Sequence, residues 1–106
     1  MRADRDLRAA VETSTTRWGT DAGTRYARLL QAAVDAIAAA PEGPLTKLHA
    51  GLGVRSIHTR LVRTGIGVRD PVHVVYYRLS TAKLEIVRVL HERMDPHRHI
   101  GKRKAR

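Results

Sequence analysis

The sequence predicts an α+β fold in which an N-terminal antiparallel helix hairpin packs on a C-terminal antiparallel β-sheet. Three observations point there. The first forty residues repeat apolar side chains at helical spacing. The stretch Pro41, Glu42, Gly43, Pro44 halts that pattern. From Gly53 onward the period shortens toward two, as in strands.

Residues 3–18 read as the first helix. Leu7, Val11, Ser14 and Trp18 recur on one side beside Ala3 and Ala10, and Arg5, Arg8 and Glu12 mark the other. Gly19 stops it. Thr20 and Asp21 are placed to cap a second helix that runs to Ala40. Its apolar stripe is Tyr26, Leu30, Ala33, Ile37 and Ala40, widened by Leu29 and Val34. So short a link makes the two helices antiparallel.

Residues 42–52 read as a loop. Residues 54–63 read as a strand, with Ile57, Thr59 and Leu61 on one face and Ser56, His58 and Arg60 on the other. A glycine-containing loop follows, and then residues 72–80, apolar on both faces as a central strand would be. After a short turn, residues 84–92 form the next strand. Asp95 then caps a helical turn begun by Pro96. Residues 1–100 thus make one domain, and residues 101–106 a basic flexible tail.

Charge is the strongest compositional signal. Twenty Lys and Arg stand against ten Asp and Glu, a formal net charge of +10. Such a chain attracts polyanions, whether nucleic acid, an acidic protein or an anionic membrane surface. Lys102, Arg103, Lys104 and Arg106 would add a salt-sensitive, nonspecific nucleic-acid contact through the tail. There is no cysteine, which excludes disulfides and thiol catalysis and fits a reducing compartment. The first ten residues carry no apolar signal core, and no window is apolar enough to span a membrane. The expected setting is the cytoplasm, with no membrane contact.

Two stretches carry a family resemblance. Residues 16–42, "TRWGTDAGTRYARLLQAAVDAIAAAPE", and residues 73–100, "HVVYYRLSTAKLEIVRVLHERMDPHRHI", resemble ParE-type toxins of the RelE/ParE superfamily. The second contains an aromatic strand, then a strand running into Leu90, His91, Arg93, Met94 and Asp95. The resemblance extends over residues 3–100. It implies the toxin half of a bacterial type II toxin–antitoxin pair, neutralised by an acidic, ParD-like antitoxin. It further implies poisoning of DNA gyrase by binding, with no catalytic residues and no cofactor. The rival implication, from the RelE branch, is ribosome-dependent cleavage of mRNA. A third is a degenerate toxin that only binds antitoxin.

One departure from the family stands out. Its members usually begin with a β-strand before the first helix, whereas here Met1 falls almost at the helix start. Either the true start lies upstream of Met1, or the RelE/ParE-like sheet has its first family strand missing and one edge opened. Losing it would remove two or three buried side chains at ~1.5–3 kcal/mol each. The chain would then lean on its antitoxin for stability.

RelE-like cleavage needs an acid, a base and phosphate-binding cations, and usually a tyrosine in the C-terminal segment. This chain's tyrosines are Tyr26, Tyr76 and Tyr77, none of them there. His73 stands where a RelE-like strand carries an arginine, so it and His91, His97 or His99 are the acid–base candidates. Read structurally, the same histidines would sit on solvated strand ends. Zinc is disfavoured because His91, His97 and His99 lack metal-ligand spacing. Thr64 to Gly67 lacks the following lysine of a phosphate loop. What remains is a cationic surface suited to carboxylates or phosphates. The residues expected to contact antitoxin or target are Arg60, Arg63, Arg78, Arg88, His91, Arg93, His97 and Arg98.

Overall fold

The computed structural model describes residues 2–81 and 83–101. Helix α1 spans Arg2–Trp18 and α2 spans Thr20–Ala39. Strands β1 (Lys47–His49), β2 (Val54–His58), β3 (His73–Leu79) and β4 (Leu84–His91) form one antiparallel sheet in the order β1-β2-β3-β4. A single turn, α3 (Pro96–His99), follows. The α+β architecture is the one predicted: a helix hairpin on an antiparallel sheet. Met1 and residues 102–106 lie outside the described residues, and so, past Gly101, does the expected basic flexible tail.

Gly19 alone joins the helices. Its φ of 97° reverses the chain in one residue, a conformation that a Cβ would strain. Gly19 itself is the N-cap of α2, without a side-chain hydrogen bond, so Thr20 and Asp21 lie inside the helix rather than capping it. Gly23 lets the helices close on each other. A Cβ there would stand 1.9 Å from Thr15 Oγ1 and 3.1 Å from Thr15 Cβ.

The principal core joins α2 to one sheet face. Tyr26, Leu29, Leu30, Ala33 and Ile37 pack with Ile57, Val75, Tyr77 and Val89. Leu29 is central to this stripe rather than marginal, while Ala40 is the exposed C-cap. Helix α1 contributes Ala10 to the core, with Leu7 and Val11 only partly covered. Trp18, periodic with that stripe, is 74% exposed because α1 ends there, beyond the sheet.

The second sheet face has its own smaller core: Leu52, Val54, Val74, Tyr76, Leu90 and Ile100. Two features build it. Register changes from Tyr76↔Arg88 to Tyr77↔Ile86, so Val87 bulges and packs on this face. The segment after β4 folds back and seats Ile100.

Two segments, one loop and one strand, differ from expectation. The expected 42–52 loop contains β1 and a 3-10 turn at Ala50–Leu52. The expected 54–63 strand stops at His58, because the His58 side chain accepts from the Arg60 N–H and starts a 3-10 turn over Thr59–Val62. Thr59 is fully buried there and donates to the His73 carbonyl at 2.8 Å.

Candidate functional site

The eight expected contact residues separate into three groups. Arg60, His91 and Arg93 gather at one end of the sheet, where β2 and β4 finish. His58 Nε2 meets Glu92 Oε1 at 2.7 Å, and His91 Nδ1 accepts from the Arg93 N–H at 3.1 Å. The His58 hydrogen bond holds the Glu92 carboxyl below its ordinary range. Arg60 and Arg93 are exposed and offer their guanidinium groups to solvent. Arg63 lies on the loop beyond, pinned by a 2.8 Å bond from Nη1 to the Arg69 carbonyl.

Arg78 and Arg88 form the second group, and both make hydrogen bonds within the fold. They do share a sheet face, as the strands suggested, but Arg60 is on the 3-10 turn at the other end. Arg88 Nε and Nη2 bind the Asp6 carboxylate at 2.8 and 3.2 Å, and Nη1 donates to the His99 carbonyl at 3.1 Å. Arg78 Nη2 donates to the Gly101 carbonyl at 2.8 Å. Both cations therefore tie the returning C-terminal segment to the sheet. Asp6 also accepts the Val89 N–H at 2.8 Å. Among the described residues, β4 is an edge strand, with β3 on one side of it. A helix carboxylate thus takes the place of a neighbouring strand. Asp6 gave no signal beyond being an acid near a helix start.

The third group is on α3. Asp95 caps it by accepting the His97 N–H at 2.9 Å, as expected, and Pro96 is its first residue. His97 and Arg98 are exposed. His91 and His97 do not converge. His91 faces His73 on the helix side, whereas His97 Nε2 approaches Gly51 on the other face.

Between α1 and the end of β4 lies a cleft of about 570 Å³, with His73 and His91 inside and Trp18 and Met94 at its lining. The Tyr26 hydroxyl is hydrogen-bonded to His73 Nδ1. The His73 and His91 rings stand edge to face with centroids 6.1 Å apart. Burial, followed by the neighbouring His91, lowers the His73 pKa to about 4. Burial likewise raises that of Tyr26. At neutral pH the pair is a neutral phenol bonded to a neutral imidazole. His73 is therefore a half-buried, partnered group and not a solvated strand end. Its ring nitrogen nearest the core is occupied by tyrosine, which leaves it poorly placed to take a substrate proton. The other tyrosines are also committed: Tyr77 donates to the Pro41 carbonyl, and Tyr76 is buried against His49. The pairing of Tyr26 with His73, 47 residues apart, is invisible to local pattern.

No helix among the described residues is long and apolar enough to cross a membrane. Comparison with known proteins converges on one family. The family model described as "ParE toxin of type II toxin-antitoxin system, parDE" matches residues 1–96. Toxin ParE1 of Caulobacter vibrioides is 35% identical over 103 residues, covering 94% of this chain and 92% of that protein. Toxin ParE1 of Mycobacterium tuberculosis is 33% identical over 85 residues, covering 79% of this chain and 76% of its own length. With the helix hairpin, the four-stranded sheet and the Leu90-to-Asp95 turn in place, the chain belongs to the ParE toxin family of type II toxin–antitoxin systems.

Proposed function

We propose that this toxin acts in the cytoplasm by binding DNA gyrase and holding it in a harmful state, without catalysing a reaction of its own. The carrying observation is the commitment of its chemical groups. Tyr26 and His73 satisfy each other, Tyr77 bonds to backbone, and Arg88 is paired with Asp6. Side chains spent on the fold favour a binding surface over an active site. Membership of the ParE family supports the same reading.

Its neutralising partner is an acidic, ParD-like antitoxin. Arg60, Arg63, Arg93 and Arg98, with His91 and His97, supply the accessible positive surface such a partner would cover, alongside the helix hairpin and the β4 edge. Arg78 and Arg88 contribute by holding that surface in shape.

The test is induction of the chain without antitoxin while growth, DNA integrity and mRNA ends are followed. DNA breaks with intact mRNA are expected. Cleaved mRNA would replace the gyrase reading with ribonuclease activity. Normal growth from a folded, soluble chain would make it a degenerate toxin.

A further inference from the structure

A second surface has no place in that reading. Trp18 is the sole tryptophan, ends α1, and is 74% exposed. Exposed indoles at this level are unusual and favour contact surfaces. Trp18 also lines two neighbouring clefts. One is the 570 Å³ cleft already described, which Arg17 enters as well. The other, about 470 Å³, runs between α2 and the 67–70 loop and is lined by Arg25 and Arg69. A polymer crossing both clefts would pass over the indole.

The surroundings decide what kind of polymer. Arg25 lies directly on the loop, since a Cβ on Gly67 would stand 3.0 Å from its Cδ. Arg69 is on the same loop, two residues on, and its carbonyl is braced by Arg63. Arg88 and Asp6 in the first cleft neutralise each other. That leaves Arg17, Arg25 and Arg69 against Asp70. An exposed indole whose two clefts carry three guanidinium groups against one carboxylate is a cationic aromatic surface. It matches the way single strands are held: a base stacked on the ring, with phosphates on cations at either side. The net charge of +10 draws polyanions to the whole molecule.

We propose that Trp18, with Arg17, Arg25 and Arg69, forms a binding site for single-stranded nucleic acid on the folded body of the toxin. The site is separate from the basic tail and independent of which target the toxin poisons. It takes an unpaired base, so duplex DNA lacks the stacking partner it requires.

Trp18 is its own reporter. Thymidylate and uridylate octamers titrated into the full chain should quench its fluorescence saturably. The affinity should fall with salt at a logarithmic slope of about −2 from three phosphate contacts. Trp18→Ala should weaken binding of labelled octamer about tenfold or more, and Trp18→Phe should retain most of it. Paired Arg25→Gln and Arg69→Gln changes should flatten the slope. Trp18 is exposed, so its replacement should leave the thermal melt unchanged, which separates lost binding from lost folding. The proposal falls if octamer binding survives Trp18→Ala unaltered. It falls equally if binding vanishes only when residues 102–106 are removed, or if an acidic peptide quenches the indole and the octamers do not.

Discussion

Acid should unfold this protein through His73, and the size of the effect follows from its surroundings. The imidazole ordinarily titrates near 6.5 but is held to about 4 in the fold, by burial and then by His91. Between those values the unfolded chain binds a proton that the folded chain refuses. Stability therefore rises with pH across this window and is lost on acidification. From about pH 7 to about pH 4.5 the loss from this one group is about 2 kcal/mol, most of it below about pH 6. Protonation also places a positive charge in this half-buried site beside His91. His73→Gln isolates the contribution, because a glutamine oxygen can accept from Tyr26 without titrating. Urea unfolding followed by circular dichroism is the assay, since exposed Trp18 reports the core poorly. The wild-type chain should lose about 2 kcal/mol more than the variant between the two pH values. Parallel losses in both proteins would refute the reasoning and place acid sensitivity elsewhere.

Three further outcomes are expected. Gly23→Ala should destabilise by about 1–3 kcal/mol, because overpacking against Thr15 outweighs alanine's better helix propensity; equilibrium unfolding measures it. Asp6→Ala removes three hydrogen bonds and strands the Arg88 guanidinium, so it should cost about 3 kcal/mol, and Arg88→Met in the same chain should recover part of that in a double-mutant cycle. Arg60→Glu with Arg93→Glu should weaken antitoxin binding and its salt dependence in titration calorimetry while leaving the melting temperature unchanged, whereas Arg88→Glu should lower the melting temperature.

How far the sequence speaks depends on whether a feature is local. Helix α2, β3 and β4 were legible because each repeats its pattern over seven residues or more. Strand β1 was not, being three residues set between Pro44 and Gly51. The overrun of β2 had a local cause too subtle to read: Thr59 and Leu61 keep the alternation, but the His58 side chain diverts the backbone. Trp18 obeyed its periodicity and still lay outside, because nothing in the period says where the sheet ends. At the site, the excess of arginine was plain in the sequence, but nothing local told the exposed Arg60 and Arg93 apart from the rest. Arg88 was not recognisable as a paired one, since its partner lies 82 residues away.

That distance has a kinetic consequence. The helix hairpin closes over Gly19, and the β2-β3 and β3-β4 ladders join neighbours in the chain, so all can form early. The bond from Val89 to Asp6 spans 83 residues and cannot. Closing so long a loop from the unfolded chain costs about 4 kcal/mol in entropy, which falls only once the intervening elements have condensed. Asp6 therefore acts as a latch that is set last and released first. Hydrogen exchange should show the Val89 amide opening well before those of β3. During each such opening the β4 edge is briefly a sheet in search of a strand, and the chain's tendency to associate should track how often that latch is undone.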